Sequence, residues 1–260
     1  MKTRKEERVH GSCILKDHMD YLKTYYEVLN ERFLKILKEE QNEIDRAGRY
    51  IAEWLSKDDK NLLYVIGTGE HSTLAANEIY KRAGGMPCVF PIFSAAAQYE
   101  RIPGLISKDF DKYDIPEGAP IIIASHVGMN AFTIETALLC KKKKLFLIGI
   151  EATEILSKLP KDFAGWSENK LTLRDICDVT IDHKTPFGDA TVQIQGIESP
   201  AGPVSNILIF FIMHLIEISA YEHMAKIGYQ PDIYISGNIP GGDEHNLVFN
   251  EKYCKLIKFW

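Results

Sequence analysis

The sequence predicts an α/β fold: a parallel sheet of about five strands flanked by helices, with a helical extension at the N-terminus. Short apolar runs alternate with longer segments of helical periodicity, and turn-forming residues separate them. The apolar runs are nearly continuous, which is typical of parallel strands with both faces covered. Apolar residues make up 45% of the 260 residues, which is enough to bury a sizeable core.

The first 56 residues are expected to form a mainly helical extension that precedes the main domain. Residues 1–18 are polar and predict a loose tail or an irregular arm. From Met19 to Leu55 apolar residues recur every three or four positions, which predicts one long helix or a helical hairpin. We therefore expect an extension over residues 1–56 and a main domain over residues 57–260.

Within the main domain, strands and helices alternate. The predicted strands are Leu62–Ile66, Cys88–Phe93, Pro120–Ala124, Leu145–Ile150 and Val179–Ile181. The predicted helices are Ser72–Ala83, Ala131–Lys142, Pro203–Lys226 and a last one near Gly242–Leu256. The segment Glu151–Arg174 is long for a connection, which indicates an active-site flap or a surface excursion.

Composition argues against several classes of protein. A net charge of -5 disfavours a nucleic-acid binder, which needs an excess of clustered Lys and Arg. Five scattered cysteines without a C-x-x-C pair indicate reduced thiols in a cytoplasmic protein. No apolar segment follows the basic start, and the most apolar run, Ile207–Ile216, is short for a membrane span and predicts a buried helix.

Ligands of an open parallel sheet bind beyond the carboxyl ends of its strands. The segments that follow the predicted strands are Gly67–Ser72, Ser94–Gln98, Ser125–Asn130, Glu151–Thr153 and His183–Asp189. The first reads G-T-G-E-H-S, in which two glycines permit close backbone approach. It lacks the Gly-Lys-Ser/Thr of a Walker loop and the third glycine of a dinucleotide loop. A plain strand-to-helix turn capped by Ser72 is the simpler interpretation.

Glu78 and His71 are the first candidate acid–base groups. They fall on one side of the predicted helix, where a carboxylate could remove a proton beside a carbonyl while an imidazole handles the oxygen's proton. The alternative is an ordinary surface ion pair of Glu78 with Arg82, four residues later.

Two further loops carry polar groups. Ser125, His126 and Asn130 in S-H-V-G-M-N suit a polyol that is recognised by neutral hydrogen bonds. Near the C-terminus, N-I-P-G-G-D-E-H-N predicts an N-cap at Asp243, which leaves Glu244, His245 and Asn246 to supply a second acid–base group, either within the chain or to a neighbouring subunit. The histidines and glutamates lack the spacing of metal ligands, and we expect no metal.

Four stretches together resemble the SIS (sugar isomerase) domain family. They are IGTGEHSTLAANEIYKRAGG, ASHVGMNAFTIETAL, GDATVQIQGIESPAGPVSN and SGNIPGGDEHN. The resemblance implies a flavodoxin-like sheet, a dimer or tetramer, and a phosphorylated sugar or sugar derivative as ligand. Glu78 matches a functional glutamate of the phosphoheptose isomerases in this family.

Two departures concern the phosphate. Val127 stands where the family's S-x-S-G loop carries a second phosphate-binding serine, and Glu70 adds a carboxylate beside the first glycine pair. Both weaken the expectation of a phosphate, because a partly buried dianion needs hydrogen-bond donors.

The resulting expectation is an aldose–ketose isomerase that works through an enediol; the alternatives are a sugar-binding regulator without chemistry and a lyase or etherase. We expect Glu78, His71, His126 and His245 to be catalytic. We expect substrate contacts from Gly67, Thr68, Gly69, Glu70, Ser72, Ser125, Asn130, Asp189 and Glu244. The expected partner is a small sugar or sugar phosphate, with no cofactor, no nucleic acid and no membrane, in a cytoplasmic homodimer or homotetramer.

Overall fold

A parallel five-stranded sheet forms the centre of the protein. The computed structural model describes residues 6–106, 110 and 112–257, and for residues 6–19 the backbone alone. The five strands are β1 Leu63–Gly67, β2 Val89–Ile92, β3 Pro120–Ala124, β4 Phe146–Glu151 and β5 Val179–Asp182. Their order is β2-β1-β3-β4-β5 and every pairing is parallel. The predicted flavodoxin-like sheet is confirmed.

Seven helices are described around this sheet. They are α1 Glu6–Glu39, α2 Gln41–Leu55, α3 Leu74–Ile79, α4 Ala131–Lys142, α5 Thr153–Lys158, α6 Ser205–Lys226 and α7 Gly242–Tyr253. α2 packs along α6, and α3 contacts both β1 and α6. All residues of β1 and β3 are buried, as expected for strands covered on both faces. The strand order reverses at β1, so a sheet of this kind is expected to bind a ligand beyond the carboxyl end of that strand.

The N-terminal extension is a kinked pair of helices. Glu40 alone separates α1 from α2, and the backbone hydrogen bonds from Glu40 N to Ile36 O and from Ile44 N to Glu40 O continue through the break. The buried Glu40 side chain binds Lys184 Nζ and accepts from Asp182 N at 3.1 Å, which fixes the kink to the end of β5. The division of the chain at residues 56 and 57 stays a prediction.

The prediction of a loose N-terminal tail is wrong for residues 6–18, which are helical; residues 1–5 lie outside the described part of the chain. The segment mixes good helix formers, Glu6, Glu7, Arg8, Leu15 and Lys16, with Gly11 and Ser12, so its local propensity gives no clear signal for helix.

Two other elements differ from the prediction. α3 ends at Ile79, short of the predicted Ala83, because Tyr80 is extended and Lys81 has φ +51. The short antiparallel strands β6 Ala190–Val192 and β7 Ala201–Pro203 were not predicted. Three-residue strands give too short a pattern for sequence reasoning.

Helix α6 is long and apolar enough to cross a membrane by length and composition. The predicted apolar run Ile207–Ile216 covers only part of its 22 residues. Leu208, Ile212 and Ile216 are fully buried in the core, and α6 packs along α2. The prediction of a buried helix at this place agrees with that packing.

Candidate functional site

The loop between β1 and α3 turns back tightly on itself. A Cβ placed on Gly67 would lie 1.9 Å from the carbonyl oxygen of Ser72, so only glycine leaves room for the returning backbone. Gly69 has φ +134, a conformation that side chains rarely adopt. Thr73 N donates to Gly69 O at 3.2 Å and closes the turn. Thr73, not the predicted Ser72, precedes α3, and its side chain makes no capping hydrogen bond.

Replacing Gly67 with Ala is expected to lower the free energy of unfolding by about 2 kcal/mol or more, because the new methyl group collides with backbone. Urea denaturation measures the loss. Gly228→Ala is the control: Gly228 has φ +74 but open space around it, so only the backbone cost of about 1 kcal/mol applies. A Gly67→Ala loss no larger than the control loss would contradict the tight turn.

Three buried hydroxyl groups connect the loops that follow β1 and β3. Thr133 Oγ1 donates to Thr68 Oγ1 at 2.9 Å and lies 3.4 Å from Ser125 Oγ. Ser125 Oγ also accepts from Gly128 N at 3.0 Å. Thr68, Ser125 and Asn130 are at most 5% exposed. These three predicted ligand contacts therefore lie behind the loops and do not line the cavity described next.

A cavity of about 190 Å³ opens beside the Gly69–Ser72 loop, at the carboxyl ends of β1 and β3. It lies where an open parallel sheet is expected to bind a ligand, at the switch in strand order. Its lining residues are Gly69, Glu70, His71, Ser72, Gln98, Glu100, His126, Asp189, Ser205 and Asn206. Six of these were predicted site residues. Glu100, Ser205 and Asn206 were missed, and Gln98 lies at the end of a segment that the sequence placed after a strand.

Carboxylates dominate the charge of this pocket. Glu70, Glu100 and Asp189 line it, and its described lining contains no Lys or Arg. A Cβ on Gly69 would lie 2.7 Å from Glu100 Oε2, so the carboxylate sits directly against the glycine turn. Gln98 and Asn206 supply neutral amide groups. The lining suits a ligand that is rich in hydrogen-bond donors.

Asp189 fixes the start of α6. Its Oδ1 accepts from Val204 N at 2.9 Å and Ser205 N at 2.8 Å, and its Oδ2 accepts from Ser205 Oγ at 2.8 Å. The carboxylate therefore caps the helix from a separate loop, and its charge faces the positive end of the helix dipole. This capping role explains the presence of an aspartate at position 189 as well as the predicted contact with a ligand would.

The pocket histidine His126 is held beside a second, buried histidine. A nitrogen of His183, Nε2, lies 2.9 Å from the carbonyl oxygen of His126, and Nδ1 lies 2.6 Å from Thr185 Oγ1. Burial lowers the pKa of His183 to about 4 and also lowers the pKa of His126. His126 Nε2 is buried without a hydrogen-bond partner among the described residues. A neutral imidazole with a free nitrogen thus borders the pocket.

Glu78 lies outside the pocket, in contact with a histidine that the sequence analysis did not select. Glu78 Oε1 lies 3.1 Å from His214 Nε2, and His214 Nδ1 lies 3.1 Å from Glu217 Oε2. The hydrogen bond to Glu217, together with Glu78, raises the pKa of His214 despite partial burial. Arg82 also pairs with Glu78 at 3.2 Å, which is the ion pair considered from the sequence.

Helix α6 contacts the segment from His71 to Glu78 at two places, one beside the pocket and one at the Glu78–His214 pair. Asn206 Nδ2 donates to His71 O at 3.3 Å beside the pocket, and His214 meets Glu78 farther along α6. Asn206 and His214 are eight residues apart on α6, about 12 Å along its axis. α6 therefore runs beside the whole segment from His71 to Glu78.

The C-terminal motif lies elsewhere. α7 begins at Gly242 after Gly241, whose φ is +80, so Asp243 lies inside the first turn and is not the predicted N-cap. His245 Nε2 lies 3.1 Å from Ile233 O, and Glu244 is exposed. Neither residue lines the cavity beside the Gly69–Ser72 loop, which is called the loop pocket from here on. Their predicted roles therefore receive no support from proximity to the pocket within one chain.

A buried carboxylate ends β4. Glu151 is 1% exposed, and its Oε1 accepts from Arg174 Nε at 3.2 Å. Its Oε2 is buried without a partner among the described residues and lies against Gly128. Burial raises the pKa of Glu151 to about 7, although the hydrogen bond and the positive charge of Arg174 act to lower it.

The segment after Glu151 folds back over this region. Ser167 N donates to Met129 O at 2.9 Å and Leu173 N donates to Gly128 O at 3.0 Å. The segment therefore docks on the β3–α4 loop, and because none of its residues lines the cavity beside the Gly69–Ser72 loop, a surface excursion describes Glu151–Arg174 better than an active-site flap.

Comparison with known proteins gives the family. The SIS domain family matches residues 24–152. A UPF0309 protein of Caldanaerobacter subterraneus subsp. tengcongensis is 34% identical over 249 residues, covering 91% of this chain and 99% of that protein. A UPF0309 protein of Thermoanaerobacter pseudethanolicus is 36% identical over 236 residues, covering 86% of this chain and 94% of that protein.

Among solved structures, a phosphoheptose isomerase from Francisella tularensis matches with a TM-score of 0.51 at 11% identity, covering 78% of this chain and 98% of that chain. At this low identity the likeness concerns the fold alone. Residues 24–152 are similar to the SIS domain, and the sequence relatives show that the chain belongs to the UPF0309 family.

Proposed function

We propose that this chain binds a sugar derivative in the loop pocket and interconverts its aldose and ketose forms through an enediol. The observation that carries the proposal is the 3.1 Å contact between Glu78 and His214. Glu78 matches the functional glutamate implied by the SIS resemblance, and the imidazole beside it supplies the second proton-transfer group that the reaction needs.

Each group has a role in the proposed reaction. Glu78 removes the proton from C2 of the open-chain aldose and delivers a proton to C1, after exchange of the held proton with solvent. His214, held between Glu78 and Glu217, donates a proton to the C1 carbonyl oxygen as the enediol forms, and the imidazole left neutral takes the proton of the C2 hydroxyl as the ketose carbonyl forms. Its raised pKa favours the protonated form that this donation requires.

The sugar must reach from the pocket to this pair. The two places lie about 12 Å apart along α6, which is more than an open-chain hexose spans, so the ligand we propose is a sugar derivative with a further group that reaches the pocket. His71 and His126, which line the pocket, stay candidate proton-transfer groups for a ligand held wholly within it. His245 stays a prediction, as do the homodimer or homotetramer and the cytoplasmic location.

The second candidate is a regulator that binds a sugar without chemistry. It is favoured by the pocket itself, because the pocket lies apart from Glu78. A panel of aldoses and ketoses, each with and without phosphate, separates the two candidates when thermal shift and NMR of products are measured together. An isomerase converts the sugar that stabilises it, whereas a regulator is stabilised and leaves that sugar unchanged. A lyase product would overturn the isomerase proposal.

A further inference from the structure

The C-terminal motif S-G-N-I-P-G-G-D-E-H-N, residues 236–246, has no role in the reaction proposed above. We propose that Asn246 of this motif is a positioning residue for the Glu78–His214 pair. It fixes a segment of backbone, residues 232–236, which in turn holds the chain that touches Glu217. This inference rests on the proposed function, because it concerns the geometry of the same pair.

Side chains of α7 bind segment 232–236. Asn246 makes two hydrogen bonds to one residue of this segment: its Oδ1 accepts from Ile235 N at 3.0 Å, and its Nδ2 donates to Ile235 O at 2.8 Å. Asn250 Oδ1 accepts from Tyr234 Oη at 2.9 Å. The segment is therefore held to α7 by its backbone and by the Tyr234 hydroxyl group.

The turn between this segment and α7 is closely packed. A Cβ on Gly242 would lie 2.1 Å from Ser236 O, and a Cβ on Gly237 would lie 2.8 Å from Asp243 Oδ1. Gly242 begins α7, and Asn246 lies one helical turn after it. The glycines of the motif therefore let the turn close, so that Asn246 reaches the backbone of the segment.

Tyr234 holds the chain that follows α3, residues 82–86. Gly84 N donates to Tyr234 O at 2.7 Å, and Tyr234 N donates to Gly85 O at 3.1 Å. From the other side, Tyr221 Oη of α6 donates to Gly84 O at 3.1 Å. Segment 82–86 is therefore fixed between α6 and the segment that Asn246 holds.

Segment 82–86 contacts both carboxylates that flank His214. Met86 N donates to Glu217 Oε1 at 3.4 Å, and Glu217 Oε2 lies 3.1 Å from His214 Nδ1. Arg82 pairs with Glu78 Oε1 at 3.2 Å. Glu217 is 3% exposed, so these neighbours and not water determine its orientation. Loss of the Asn246 bonds is therefore expected to loosen the geometry of the pair.

Asn246→Ala tests the inference through the pKa of His214, read by NMR of the histidine side chains, with a His214→Gln sample to assign the signal. The pKa should fall in the folded variant, because the hydrogen bond to Glu217 is the main cause of its raised value. On the sugar that the thermal-shift panel selects, kcat should fall about tenfold and KM should stay within about twofold, because misplacement of reacting groups slows the chemical step.

Tyr234→Phe removes the hydroxyl group that bonds Asn250 and keeps the ring, so it should change both readouts in the same direction by less. It decides the question if Asn246→Ala does not fold. Asn30→Ala is the matched control, since Asn30 is exposed on α1. The control should leave the pKa of His214 and kcat unchanged, and thermal melting checks that each variant is folded.

A wild-type pKa of His214 in the folded Asn246→Ala variant, or in Tyr234→Phe where the first does not fold, would overturn the positioning role and leave the proposed isomerase standing. A wild-type protein that converts no sugar would instead overturn the proposed function. The pKa measurement needs no sugar, so it still decides whether Asn246 controls the surroundings of His214.

Discussion

Replacing Glu78 with Gln is expected to reduce kcat for sugar isomerisation by about 10³-fold and to leave the affinity for the sugar within about twofold. The amide cannot accept the proton from C2, and general-base catalysis contributes about 10²- to 10⁴-fold. Gln keeps the size of the side chain and can still bond His214. Steady-state kinetics and calorimetric binding on the same sugar measure the two effects.

The control is Glu222→Gln, which removes an exposed carboxylate on α6 that pairs with Lys226. It should retain wild-type kcat. A Glu78→Gln variant with full activity would remove Glu78 from the mechanism, and proton transfer would then have to come from the groups lining the pocket.

A substitution at Glu217 gives a second, independent test of the Glu78–His214 pair. Its contact with His214 is the main cause of the raised pKa of that histidine. In Glu217→Gln the pKa of His214 should fall, so the alkaline limb of the kcat–pH profile should move to lower pH if protonated His214 is the acid. An unmoved profile would show that His214 does not act as the acid.

A large stability effect is expected at Glu151. Its pKa is about 7 in the folded protein, against 4.5 as its ordinary value. The unfolded chain therefore loses this proton at lower pH than the folded protein does. The contribution of Glu151 to the free energy of unfolding should fall by about 3 kcal/mol as the pH rises from about 4.5 to 7, and then level off.

Glu151→Gln should abolish this fall, because the amide resembles the protonated acid and can still accept from Arg174. Urea unfolding of both proteins at pH 5 and pH 8 isolates the effect, since the other titrating groups are common to both. The variant should gain about 2.5 kcal/mol relative to wild type between the two pH values. A constant difference would show that Glu151 is ionised throughout.

The sheet could be predicted because each strand carries its own signal. β1 and β3 are apolar on both faces, so a run of consecutive apolar residues in the sequence indicates each buried strand. The C-terminal end of α3 could not be predicted, because Tyr80 and Lys81 leave helical geometry for a tertiary reason. The backbones of Gly84 and Gly85, just after them, form hydrogen bonds with the backbone of Tyr234. β6 and β7 are too short to give a pattern.

The site was only partly predictable, for a related reason. The glycine loop and His126 follow strands, so their place in the pocket comes from topology. Glu100 and Asn206 reach the pocket from segments with no local signal. His214 lies 136 residues from Glu78, and no spacing links them. The available signal was a pair of titratable residues, His214 and Glu217, three apart within an apolar helix.

The most direct test of the proposed isomerase is proton NMR of the reaction in D2O, using the sugar that the thermal-shift panel selects. Transfer through an enediol exposes the proton held by Glu78 to solvent, so ketose formed from the aldose should carry deuterium at C1. Glu78→Gln should abolish this incorporation. Complete retention of the C2 protium at C1, without any deuterium incorporation, would contradict the enediol mechanism, and stabilisation without any conversion or exchange would contradict the proposed enzyme.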